Sequence, residues 1–236
     1  MLTLFAFGPN GWGDELLRGA GMTLVLAALG FALGLVFGTM GAAAKLSGSR
    51  ILRIVAEAYT TVIRGVPELL VIYLFFFGSS GAIMFFARMF GHAGYVGVDA
   101  FTVGVLGLGV ISGAYATEVI RGAFQAVPTG QIEAGRAIGM TRGLIFRRIL
   151  LPQAARFALP GLGNVWQLVL KDSALVSVTA LAELMRTASV AARSSGQPFT
   201  FYVAAGVLYL VLTTLSTTLF ALAERRAGRG VVQVNA

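Results

Sequence analysis

Cysteine is absent from the 236 residues, histidine occurs once, at His92, and only 12% of the chain is charged. The first absence excludes disulfide frameworks, thiolate metal sites and cysteine nucleophiles. A lone histidine, expected in an external loop, cannot assemble a metal centre or a His-Glu-x-x-His catalytic pair. No G-x-x-x-x-G-K-[ST] segment occurs either, so the chain binds no nucleotide by that route. The scarcity of charge is about half the usual quarter of a soluble domain. In its place stand 57% hydrophobic residues, 31 glycines and a mean hydropathy of +0.82. A soluble globule of this size could not hide so much apolar surface, and a disordered chain needs the opposite bias. The composition reads as an all-α membrane protein.

Uncharged stretches locate the spans, since about 20 apolar residues cross a bilayer core. Gly19–Ala44, Ala100–Thr117, Phe157–Leu170 and Phe199–Ala223 are free of charge. A further apolar segment is interrupted by Glu57, Arg64 and Glu68. The reading is one transmembrane domain over 1–236 with about five spans, at 19–44, 55–77, 99–120, 155–172 and 199–223. The second span is placed to end before Gly78-Ser79-Ser80-Gly81, a cluster that reads as a loop; placing it at 69–87 is the rival. The first segment lacks a basic leader and has too long a core for a signal peptide, so it counts as a span.

The net charge of +8 then becomes a statement about orientation. No basic run with interleaved aromatics appears, which argues against nucleic acid as a partner. Twelve of the 18 basic residues fall on one side, in 45–53, 121–156 and the segment after 223; five fall on the other, and Arg64 lies within a span. The basic side is cytoplasmic by the positive-inside rule, which puts the N-terminus in the periplasm and the C-terminus in the cytoplasm. Gly30, Gly34 and Gly38 recur at four-residue spacing, as do Gly109 and Gly113. Such spacing suits close helix approach in lipid, within the chain or across a dimer seam.

The connection from Arg121 to Arg156 is far longer than a usual helix–helix link. Ile132, Ala137, Ile138, Leu144, Ile145, Ile149 and Leu150 give helical apolar spacing, with Gly139 as an elbow and Pro152 closing the second segment. Two short helices follow from this, with Arg136, Arg142, Arg147 and Arg148 on the other face. They suit either anionic headgroups or a cytoplasmic partner.

Within this loop, Glu133-Ala134-Gly135, then Gly139, then Ile149-Leu150-Leu151-Pro152 resembles the EAA signature of ABC-importer permeases, with Gly135 where alanine is usual. The glycine is expected to loosen the first short helix. Tyr59-Thr60-Thr61-Val62-Ile63-Arg64-Gly65-Val66-Pro67, Gly113-Ala114-Tyr115, Thr117-Glu118, Arg121-Gly122-Ala123-Phe124 and Lys171–Ser177 extend the likeness over nearly the whole chain. They look most like the Q-type subunits of histidine, lysine/arginine/ornithine, arginine and opine permeases of the polar amino-acid uptake family.

The resemblance implies a type I ABC-importer permease fold in the bacterial inner membrane. Loop 121–156 would be the coupling helix, with Glu133, Ala134, Gly135, Gly139, Ile149, Leu151 and Pro152 meeting an ATPase subunit. It further implies two ATP-binding subunits, a periplasmic amino-acid-binding protein and a second permease subunit, homologous or identical. ATP and magnesium would sit on the ATPase partners, leaving this chain without cofactor, metal or catalytic residue.

Charges inside the spans are costly, so they are expected to face a cavity or a partner. Gly65 and Pro67 are expected to interrupt the second span, and the fourth helix to break at Lys171. Glu118 and Asp172 are candidates to receive a cationic side chain, Arg64 or Lys171 an α-carboxylate, and Ser173 a hydrogen bond, with Glu68 a further candidate site residue beside Arg64. The same residues could instead pair among themselves, as Arg64 with Glu68 or Glu57 and Lys171 with Asp172. A secondary transporter or channel without an ATPase is the other functional class, disfavoured by the lack of an inverted repeat or a filter-like loop.

Overall fold

The computed structural model describes residues 2–8, 11–89 and 99–228. His92 and Arg229 lie outside the described residues. Helices account for all regular structure among them: α1 (Gly13–Leu46), α2 (Arg50–Gly65), α3 (Glu68–Met89), α4 (Ala100–Gln125), α5 (Thr129–Ala137), α6 (Arg142–Ile145), α7 (Leu151–Asp172), α8 (Leu184–Ser195) and α9 (Pro198–Ala227). Short 3-10 segments cover Leu2–Phe5 and Ser173–Thr179, and one π-helical turn, Phe146–Leu150, joins α6 to α7.

Among the described residues three helices, α1, α4 and α9, are long and apolar enough to cross a membrane, and α2 with the first part of α3 makes a fourth, bent, candidate. With 34 residues at 1.5 Å each, α1 runs about 51 Å, well beyond a 30 Å hydrocarbon core. The bend between α2 and α3 is 107°. It follows from local chemistry. Pro67 disfavours a helical residue before it, and Val66 is extended at φ −106°, ψ 140°. The Gly78–Gly81 stretch, expected as a loop, is helical within α3. Flanked by apolar residues in lipid, its backbone groups find partners only along the helix.

The main core lies where α1, α3, α4, α7 and the second 3-10 segment meet, around Leu26, Ile72, Leu108, Ile111, Val169, Leu170 and Val176. The glycines decide how α1 and α4 approach. A Cβ on Gly34 would collide with the Ser112 side chain and come within 3.1 Å of the Gly113 backbone nitrogen. Gly38 faces Ala116 and Gly41 faces Thr117 in the same way. Ser112 Oγ donates across the seam to Gly30 O at 3.2 Å. The four-residue glycine spacing therefore serves packing within the chain.

A second core joins α1, α8 and α9 through Leu16, Leu184, Ala188, Ala191, Phe201 and Ala205, with Trp12 edge-on to Phe201. Glu183, fully buried, holds this corner together. Its carboxylate caps α8 by accepting from Met185 N at 2.9 Å and Arg186 N at 2.6 Å, and takes further bonds from Tyr209 Oη at 3.1 Å and Thr23 Oγ1 at 3.3 Å.

Candidate functional site

Four ionisable residues expected to line a path arrive from three directions. Arg64 ends α2, Glu68 begins α3 just past the Val66-Pro67 break, and Lys171 and Asp172 end α7, whose helix tightens into the 3-10 segment from Ser173. The α2–α3 corner and the α7 terminus are thus two helix interruptions facing one another, and α3 packs against the 3-10 segment. Between them stands Tyr115 of α4. The Arg64 guanidinium sits 5.3 Å from the centre of the Tyr115 ring, and the Tyr115 hydroxyl donates to Glu68 Oε1 at 3.1 Å. Asp172 lies within electrostatic reach of Glu68 and of Tyr115. Its Oδ2 is buried and has no hydrogen-bond partner among the described residues.

No ion pair within 4 Å joins Arg64 to Glu68 or Glu57, or Lys171 to Asp172, among the described residues. The charges are held near one another without cancelling pairwise. Arg64 and Lys171 are exposed, while Glu68 and Asp172 are partly buried. The arrangement offers two acidic groups, a stacked guanidinium and a phenol, suited to a small molecule carrying charges of both signs. Tyr115 escaped notice as a site residue; its signal was a hydroxyl set among glycine and alanine in an otherwise apolar span.

Two expected members stand elsewhere. Ser173 is buried and its hydroxyl donates to Leu170 O at 2.7 Å, closing the turn rather than facing the cluster. Glu118 is occupied by a different set. Its Oε1 accepts from Lys45 Nζ at 2.5 Å, and its Oε2 accepts from Arg121 Nη2 at 2.8 Å and Nε at 3.0 Å. Lys45 Nζ also donates to Thr60 Oγ1 at 2.7 Å. Its side chain, at the end of α1, is only 9% exposed.

The long loop folds as α5, an elbow, α6 and the π turn leading into α7. Gly139 supplies the elbow with φ +79°, a left-handed conformation that a side chain would strain. Met140 N reaches back to Gly135 O at 3.0 Å, and Gln153 Nε2 on α7 donates to Gln131 Oε1 on α5 at 2.5 Å. Gly135 does not loosen the helix; it is buried where α5 crosses the following segment, a Cβ there lying 2.9 Å from Ile149 Cδ1 and 3.3 Å from Ile145 Cγ1. Glu133, Ala134, Gly139, Leu151 and Pro152 are exposed and Ile149 is half-buried. Ile138, 78% exposed, with Phe146, Leu151, Arg142, Arg147 and Arg148 makes a mixed apolar and basic surface.

Residues 30–229 match the family model described as the inner membrane component of binding-protein-dependent transport systems. The octopine transport system permease protein OccQ of Rhizobium radiobacter is 58% identical over 228 residues, covering 97% of this chain and 96% of that protein. The histidine/lysine/arginine/ornithine transport system permease protein HisQ of Escherichia coli K12 is 44% identical, covering 94% of this chain and 96% of that one. Among solved structures, an amino acid ABC transporter crystallised with histidines contains a chain similar at TM-score 0.79 and 36% identity, with 91% of this chain and 95% of that chain covered.

Proposed function

The chain belongs to the family of binding-protein-dependent transport system inner membrane components, and from that membership we propose that it is the permease subunit of an ATP-driven importer of basic or polar amino acids, opines included. The observation that carries the substrate reading is the Arg64–Tyr115–Glu68–Asp172 cluster at two facing helix interruptions. A basic amino acid brings an ammonium or guanidinium side chain for the carboxylates and an α-carboxylate for Arg64 or Lys171. Glu118, already engaged by Lys45 and Arg121, gives up the acidic role to Glu68 and Asp172.

The topology has about five spans, with α7 as the fourth crossing, the N-terminus periplasmic and the C-terminus cytoplasmic; the asymmetry of basic residues supports it. A second permease subunit, homologous or identical, completes the translocation path. The apolar and basic surface around Ile138 receives one of two ATPase subunits, which bind ATP and magnesium, and a periplasmic binding protein delivers the substrate.

Uptake of labelled arginine, histidine and octopine by the whole transporter in vesicles tests this reading. Glu68→Gln and Asp172→Asn are expected to depress uptake of the cationic substrates, and Tyr115→Phe to raise the half-saturating concentration about threefold to tenfold for one lost hydrogen bond. Unchanged uptake and preference in both carboxylate variants would remove the cluster from the path.

A further inference from the structure

The network of Lys45, Thr60, Glu118 and Arg121 plays no part in the candidate binding cluster, yet it joins α1, α2 and α4 at the point where the long loop begins. We propose that Lys45 and Glu118 are positioning residues that carry movement of loop 121–156 to the binding cluster, so that ATP hydrolysis on a partner displaces the groups that hold substrate. This rests on the importer reading above.

Three features of the geometry support the link. The first is the grip of one carboxylate, Glu118, on both Lys45 of α1 and Arg121 of its own helix, while the same ammonium holds Thr60 of α2. Lys45 has no other partner among the described residues and little water, so its charge depends on α2 and α4 staying in place. The second is location. Arg121 also bonds Gln125 at 2.8 Å, the last residue of α4, and Val127 beyond it is buried before Pro128 opens α5. A tilt of the loop therefore acts first on the helix turn that carries this network.

The third feature is register. On α2, Thr60 is four residues from Arg64; on α4, Glu118 is three residues from Tyr115. Both separations are about one helical turn, or 5.4 Å along the axis. The network and the Arg64–Tyr115 stack are thus consecutive rungs on the same two helices. Tyr59 strengthens the coupling by donating to Val110 O of α4 at 2.7 Å. A displacement of α4 at the loop root meets Tyr115 one turn away and, through Lys45 and Thr60, the turn of α2 that carries Arg64.

The test uses the complete transporter reconstituted in proteoliposomes, with labelled arginine uptake and phosphate release measured in the same vesicles. Lys45→Met is expected to lower arginine transported per ATP hydrolysed by about twofold to thirtyfold, the size that mutations within a coupling network produce. Lys45→Arg, which keeps the charge and its acceptors, should restore the ratio. Uptake and hydrolysis falling in equal proportion, or an unchanged ratio, overturns the proposal in favour of a purely structural clamp. If Lys45→Met does not assemble, Thr60→Val decides on the same ratio, because it removes one acceptor and no charge. Wild-type vesicles that show no ATP-driven uptake refute the importer reading itself; wild-type uptake with unaltered ratios in the variants refutes only the link.

Discussion

Truncation of Glu183 to alanine offers the sharpest test of how the corner between α1, α8 and α9 is held. The carboxylate is fully buried and accepts from two backbone amides of α8, the Tyr209 hydroxyl and the Thr23 hydroxyl. Removing it uncaps α8, a loss of about 1 kcal/mol. It also leaves buried donors unpaired, of which the Tyr209 hydroxyl alone accounts for roughly 1–3 kcal/mol. Glu183→Ala should therefore destabilise the chain by about 2–4 kcal/mol, while Glu183→Gln, which keeps one acceptor oxygen for Met185 N, Tyr209 and Thr23 but turns its amide nitrogen toward Arg186 N, should lose less. Equilibrium unfolding in mixed micelles measures both. Burial raises the Glu183 carboxyl above the ordinary carboxylate range against the lowering effect of its hydrogen bonds. Folding therefore favours the protonated form. Its contribution is complete below the unfolded value and is lost as pH rises through the raised one, so the advantage of wild type over Glu183→Gln should shrink with rising pH. Equal losses in the alanine and glutamine variants, or an advantage that grows with pH, would refute this account of the corner.

Other positions give simpler outcomes. Gly34→Val forces a side chain onto Ser112 and the Gly113 backbone, and should cost about 1–3 kcal/mol in the same unfolding measurement. Gly135→Ala places a Cβ 2.9 Å from Ile149 Cδ1 and 3.3 Å from Ile145 Cγ1, so the gain in helix propensity, up to about 1 kcal/mol, should be largely offset by the contacts, leaving stability within about 1 kcal/mol of wild type and uptake intact. Ile138→Asp, on a side chain 78% exposed, should leave stability of the isolated chain within about 0.5 kcal/mol while reducing co-purification of the ATPase subunits.

What could be read from the sequence was what neighbouring residues determine. The break at Gly65–Pro67 is a property of proline and the residue before it, and the elbow at Gly139 is a property of glycine beyond a helix end. The glycine repeats predicted close approach without saying to what. Features that depend on distant partners were hidden. Glu118 and Lys45 are 73 residues apart, and nothing local marks the glutamate as already paired. Glu183 and Thr23 are separated by 160 residues, and neither stands out along the chain. Two glycine positions depend on surroundings that the local sequence does not show: the turn signal of Gly78–Gly81 gives way to helix continuity in apolar surroundings, and Gly135 is fixed by the close approach of Ile149 and Ile145. The family signature, whose spacing is local, falls on α5, the Gly139 elbow and the start of α7, but the tyrosine that joins Arg64 to Glu68 required the tertiary structure.

The backbone-to-backbone seam of α1 and α4 also sets a schedule for biogenesis. Gly30 and Ser112, which bond across it, are 82 residues apart, so at 5–20 residues per second the ribosome needs roughly 4–16 seconds to deliver the second half after the first. During that interval α1 waits in the bilayer with its small-residue groove against lipid tails. The wait is tolerable because a continuous helix already satisfies its own amides and presents no polar backbone to the acyl chains. Thr23 waits longer still for Glu183. The first helix made is thus the template on which nascent segments dock in turn, and a pause in translation between α1 and α4 should extend the lifetime of an intermediate that holds the groove but not its occupant.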